Sequence, residues 1–311
     1  LVDKDALARL GPALDQYLEC FAGCAVAPTR RLISIYVRGQ LGELPRKSIK
    51  PMALEAGIPP RTLQELLSLH RWDGELLLAM LQRRVRRAHP DPRGFGFFFE
   101  SRCVKKGDRT PGVARQTFAT TSRPRNCVVL LHLAFSEGDF HCLLDSAVYL
   151  PESWTEDRPR CEAAGVPAEI GHRTRTRIMA DLLRRAEVNG LPLAKLVLPS
   201  ESSADDSFIA GVKGAGRAFA VWPAADGRDS MPESSTGLTP EEGRQMIRAA
   251  VESRRMVEAR MGEIGLDHFE VRTFRSLTRH LALSAASLLF LAEQGERTRR
   301  GRESFPIRSH G

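Results

Sequence analysis

Aromatic residues make up only 6% of the 311 positions, so a core must be built mainly from aliphatic side chains. Cysteine is scarce: six residues are too few for a disulfide scaffold. Cys20 and Cys24 are spaced i, i+4, but no second Cys/His pair follows at zinc spacing, and both read as core thiols. Lysine is nearly absent, with seven among 46 basic residues. No apolar run reaches the ~18 residues a bilayer span requires. The longest, residues 281–292, is interrupted by Ser284 and Ser287. No phosphate-loop or dinucleotide glycine pattern occurs, because Gly211, Gly214 and Gly216 do not follow a strand as such loops demand. Together these absences exclude a disulfide-stapled domain, a helical membrane protein and an enzyme built on a glycine-rich nucleotide loop. A cytoplasmic protein is the expectation.

What is present is charge with a marked placement. The formal net charge is +8, with 42% hydrophobic and 27% charged residues, a balance that supports a packed core. Residues 30–125 hold 20 basic and 8 acidic residues, a net of +12, so the remainder sums to −4. A GC-rich genome would explain arginine over lysine but not this placement. A one-sided basic block suits a polyanion, with nucleic acid ahead of a merely solvated face.

Periodicity predicts an all-helical start: a helix over 5–27 interrupted at Pro12, short helices over 48–56 and 60–69, and a helix from the Asp73 cap to about 88. The last turn of that helix carries Arg83, Arg84, Arg86 and Arg87. Such cations suit the helix dipole and would also suit phosphates. A boundary is placed at His89-Pro90-Asp91-Pro92. Strands are expected over 95–99, 113–120, 126–135 and 140–150, then a helix over 174–189, a strand over 195–199, a helix over 204–213 and a strand over 217–222. A Gly/Pro/Ser/Asp-rich loop over 223–238 precedes a long helix opened by Thr239 and Pro240. A last helix over 273–293 leads into a basic tail, 294–311, read as disordered. The order implies an α/β fold with an antiparallel start and a parallel continuation.

Four separated strings then stand out. They are Leu44-Pro45-Arg46-Lys47-Ser48-Ile49 with Pro51-Met52-Ala53; Val104-Lys105-Lys106-Gly107 with Gly112-Val113-Ala114-Arg115-Gln116 and Asn126-Cys127; Tyr149-Leu150-Pro151-Glu152-Ser153-Trp154 with Ala164-Gly165-Val166-Pro167 and Arg173-Thr174; and Gly265-Leu266-Asp267-His268-Phe269-Glu270-Val271-Arg272 with Arg279-His280-Leu281. In this order the chain resembles the insertion-sequence DDE transposases of the 701 group, over about residues 35–292. The resemblance implies an RNase H-like mixed sheet flanked by helices (93–293), preceded by an all-α, basic, DNA-binding region (1–92). It also implies DNA strand cleavage and joining on two divalent metals held by three carboxylates, Mg²⁺ in active members.

Carried over position by position, the three acids fall on Phe99, Ser200 and Arg254, none of which is acidic. The family's long insertion before its Glu is reduced to about residues 223–250. Nearby Glu100, Glu201 and Glu252 are the candidate substitutes, with Glu258 as a further one. A strand neighbour faces the opposite side, however, and a residue two positions along a helix lies about 200° away. No metal or other cofactor is therefore expected. Lys105, Lys106, Arg115, Arg173 and Arg175 join the four arginines of 83–87 as candidate phosphate contacts, with surface salt bridging as their alternative. Trp154 reads as a packing residue. Glu270, Arg272, Arg279 and His280 read as a polar network that fixes the last helix. The expectation is a nucleoid-associated bacterial protein that binds double-stranded DNA, with an inactive transposase site and a homodimer as the assembly to test. An active transposase using the displaced carboxylates, and an inert relic, are the competing readings.

Overall fold

Local signals in the chain set the ends of most elements. The computed structural model describes residues 4–90, 93–118, 121–191, 193–222 and 237–303. The first helix, α1 (Lys4–Glu19), is followed by a short 3-10 turn, Ala22–Cys24, so the predicted single helix over 5–27 is divided. The break turns Cys20 outward while Cys24 stays buried, which corrects the reading of both as core thiols. Burial pushes the Cys24 thiol above its usual range.

Next comes α2 (Ala27–Leu41), which hydrophobic spacing did not announce. Its buried face is Ile33, Tyr36, Val37 and Gln40, and the mixture of β-branched, aromatic and amide groups disguises the helical period. The helix runs close to α3 (Ile49–Glu55): a Cβ at Gly39 would lie 2.6 Å from Met52 Cγ, so only glycine fits at that contact. Helix α4 (Pro60–Ser68) buries Leu63, Leu66 and Leu67. Helix α5 (Gly74–Ala88) starts as expected, with the Leu76 amide donating to the Asp73 carboxylate at 2.9 Å.

The sheet has six strands: β1 (Phe95–Val104), β2 (Ala114–Phe118), β3 (Thr121–Glu137), β4 (Phe140–Val148), β5 (Lys195–Leu198) and β6 (Ala218–Val221). β1 pairs antiparallel with β3 and parallel with β5, and β5 pairs parallel with β6. On its other edge the long β3 takes β2 along its first half and β4 along its second. Setting β2 aside, the order β4-β3-β1-β5-β6, with three antiparallel strands and two parallel additions, is an RNase H-like mixed sheet. Short helices α6 (Glu152–Thr155) and α7 (Arg158–Ala163) lead to α8 (Arg175–Val188), and α9 (Asp206–Gly214) connects β5 to β6.

Helix α10 (Pro240–Glu263) opens on a full capping box between Thr239 and Glu242 and buries Met246, Ala250, Ser253, Val257 and Met261 at helical spacing. The predicted loop falls mostly on residues 223–236, outside the described residues, and the later part of the truncated insertion, placed over 223–250, is the first turns of α10. The last helix, α11 (Phe274–Glu303), runs ten residues past its predicted end at 293. Arg84 on α5 donates to Glu293 at 2.5 and 2.8 Å and holds α11 where the apolar period stops. Residues 304–311 of the expected tail lie outside the described residues.

The apolar core is continuous from α1 to α11, because α11 packs on β4 and on α2, α4 and α5 together. Its joints to α2 are polar and buried. Gln40 donates to Ser284 Oγ and accepts from Ser287 Oγ, both at 2.8 Å.

Candidate functional site

Strand alternation sorts the residues of β1 onto two faces. Phe97 and Phe99 stack at 5.9 Å on the face that α10 covers. Glu100 points to the other face, where Arg175 at the start of α8 pairs with it and Arg102 lies 3.7 Å away. The next turn of chain after β5 is a 3-10 segment, Ser200–Ala204, opened by Pro199.

These pieces meet at the end of the sheet. Phe99, Ser200 and Arg254 all line one open cleft of about 770 Å³, together with His132, Tyr149 and Trp222. The guanidinium of Arg254 lies 5.6 Å from the centre of the Phe99 ring. Phe99 in turn lies 4.8 Å from His132, its cross-strand partner on β3. His132 is fully buried and bonds Ser101 Oγ and Ser146 Oγ, each at 2.7 Å. Burial pushes its pKa down to about 3, and the charge of Arg254 acts in the same direction. The imidazole is therefore neutral at physiological pH and is held by neutral hydroxyls. Arg254 also donates from Nε to Glu258 at 2.9 Å.

The substitute acids are arranged differently. Glu100 and Glu201 both line the cleft, but Glu100 is engaged by two arginines and Glu201 is exposed on the 3-10 turn. Glu252 is exposed and does not line the cleft, as its angular offset from Arg254 predicts. Asp205, which sequence reasoning did not single out, lines the cleft as the cap of α9. It accepts from Thr176 Oγ1 and the Phe208 amide, and these bonds lower its pKa. A cap three positions before the apolar pair Phe208-Ile209 was a readable signal for it.

A divalent cation of the Mg²⁺ type needs anionic oxygen ligands. A phenyl ring offers no donor, a serine hydroxyl is neutral, and a guanidinium repels a cation, so these three residues do not fit such an ion. Among the described residues, no group of three or more His, Cys, Asp or Glu is placed to hold a metal.

The candidate phosphate contacts divide into two groups. Lys105 is turned inward: its ammonium donates to the carbonyls of Asp267 and Phe269 at 2.8 and 2.7 Å and lies 3.4 Å from the centre of the Phe269 ring. Burial lowers its pKa. Arg173 pairs with Asp181, Arg175 with Glu100, and Arg84 with Glu293. Lys106, Arg115, Arg83, Arg86 and Arg87 are exposed, with Arg86 donating to the Pro90 carbonyl at 3.0 Å.

The strings that carried the resemblance assemble into joints. Gly265 has φ +63, and a Cβ there would sit 2.5 Å from His268 Nδ1 and 2.9 Å from Lys47 Cβ. The Lys47 amide donates to His268 Nδ1 at 3.0 Å, and its ammonium donates to the carbonyls of Gln40, at 2.7 Å, and Glu263. His280 donates from Nε2 to the Leu266 carbonyl and accepts from Tyr36 OH, both at 2.8 Å. Burial brings His280 down to about 4. Arg279 donates to three carbonyls of residues 66–72, and Arg46 pairs with Glu270. A second joint has Trp154 fully buried, donating to the Val113 carbonyl at 2.7 Å under the Arg160 guanidinium.

Compared with known proteins, residues 17–252 match the family described as DDE superfamily endonuclease. A search of curated proteins gave no match. No described helix is long and apolar enough to cross a membrane.

Proposed function

The chain belongs to the DDE superfamily of endonucleases, and from that premise we propose that it binds double-stranded DNA without cutting it. The family's substrate is DNA. The observation that carries the reading is the stack at the cleft, where Arg254 and Phe99, at two of the positions to which the resemblance carries the acids, lie together with neutral His132. A fixed cation and an aromatic ring there disfavour a divalent metal by charge and by lack of donors. Glu100 is neutralised by its arginine partners, which argues against its service as a displaced ligand. Insertion-sequence origin, nucleoid association and a homodimeric assembly go with this reading as its finer expectations.

The test uses the full chain with supercoiled plasmid and with labelled duplexes. Binding is expected to fall steeply with salt, as phosphate neutralisation requires. No nicking is expected with Mg²⁺ or Mn²⁺, and none is expected to depend on Glu100. Metal-dependent nicking lost in Glu100→Gln would establish the active alternative instead. No affinity for duplex DNA at low salt would refute the reading outright.

A further inference from the structure

The extension of α11 brings a second set of arginines to the end of α5. Arg83 and Arg87 are one turn apart on α5 and so share a face. With Arg297 of α11 they line an open cleft of about 510 Å³ whose wall also includes Cys20 and Phe21. All three arginines are exposed. The wall holds two acids against four arginines: Glu293 is held by Arg84, itself in the wall, at 2.5 and 2.8 Å, and Glu296 lies 3.7 Å from His89 Nε2. The cleft therefore presents an excess of positive charge to solvent. Among the described residues of its wall the one aromatic ring, Phe21, is buried, and these residues offer no platform for stacking a base.

We propose that this cleft between the ends of α5 and α11 is a seat for the sugar–phosphate backbone of duplex DNA, read by charge and without base contacts. The proposal rests on the DNA-binding reading above and adds the surface and the mode. Arginine suits it because the guanidinium fork matches phosphate oxygens. The site is distinct from the cleft that holds Phe99 and Arg254, since the two share no wall residue.

Cys20 supplies the reporter. It is the exposed cysteine among the six, it lines this cleft, and Arg84 Nη1 lies 3.4 Å from its sulfur. The experiment measures iodoacetamide alkylation of Cys20 in the full chain, with and without a duplex of about 30 base pairs at low salt. Fluorescence anisotropy on the same duplex gives the affinity. Saturating duplex is expected to slow Cys20 alkylation at least about fivefold, and Arg83→Glu/Arg87→Glu to weaken binding by tenfold or more. Arg297→Glu is expected to weaken it less, each loss flattening the salt slope by about 0.9 per phosphate contact. Arg61→Glu, an exposed change within the same basic block but away from the cleft, is expected to leave affinity unchanged. Wild-type binding with Cys20 unprotected overturns the proposed seat while leaving the DNA-binding reading intact. So does equal weakening by Arg61→Glu, which would mark diffuse charge attraction. Absence of wild-type binding overturns both.

Discussion

Two polar regions of this protein sit at opposite extremes of commitment. At the turn around Gly265, polar groups find partners from other stretches of chain: Lys47, Lys105 and His280 close on residues 263–269, and Tyr36 holds His280 in turn. At the cleft around Phe99, Arg254 pairs with Glu258 one turn along its own helix, and Arg254 and Ser200 face an open space. Both regions fall within or beside the strings that carry the resemblance, but the bonds of Arg254 and Ser200 at the cleft run to near neighbours in the chain, whereas those at the turn join distant elements. The difference teaches that strings carrying the resemblance hold α2, β1 and α11 together. Phe99, Ser200 and Arg254, the positions to which the resemblance carries the acids, fall outside those joints.

That contrast can be broken by mutation. Gly265→Val forces a β-branched residue into the left-handed region and against His268 and Lys47. A loss of about 3 kcal/mol is expected in chemical denaturation, and a loss under about 1 kcal/mol would show that the joint gives way easily.

Acid should strain both regions through their buried imidazoles. His280 at the turn is pushed down to about 4 and His132 at the cleft to about 3, both below the unfolded value. Their contribution is therefore complete above about pH 6.5 and declines as pH falls toward those values, by about 1.4 kcal/mol per pH unit for each ring. Asp145 opposes this. Burial raises it to about 6 despite Arg185, so the folded state takes its proton first and gains stability as pH falls from about 6 toward 4. The net expectation for the three groups is a loss of about 3 kcal/mol between pH 6 and pH 4. Ring-proton NMR should show neither histidine titrating between pH 7.5 and 5. A midpoint near 6.5 for either ring would remove the argument.

Lys105→Met keeps the stem of the side chain but deletes two charge-assisted hydrogen bonds to the turn. A cost of about 2 kcal/mol is expected, with DNA affinity little changed. A large fall in affinity at unchanged stability would return Lys105 to the phosphate contacts. The smallest effects belong to the cleft. Ser200→Asp and Arg254→Glu change partly exposed groups and should each shift stability by no more than about 0.5 kcal/mol. If either costs as much as Gly265→Val, the cleft is part of the frame and the comparison fails.

Much of the fold was legible because its signals are short-range. The Asp73 and Thr239 caps, the apolar stripes of α4 and α10, and the aromatic run of β1 each mark an element from its own residues. Helix α2 was not legible, because its buried face includes Gln40, whose partners Ser284 and Ser287 lie more than 240 residues away. The continuation of α11 was hidden for a similar reason: Arg84 and Glu293 make sense together and look like surface charge apart.

The sequence by itself determined the order of the strands and of most helices, the basic block, and, through the resemblance, which residues to expect at the acids' positions. Those are properties of single positions and of neighbours a turn apart. Only the tertiary structure decided that Phe99, Ser200 and Arg254 share one cleft, that Lys105 turns inward, and that Arg297 comes to rest beside Arg83 and Arg87. Each of these depends on contacts between distant elements, and long flexible side chains take their direction from whichever partner the packing brings within reach.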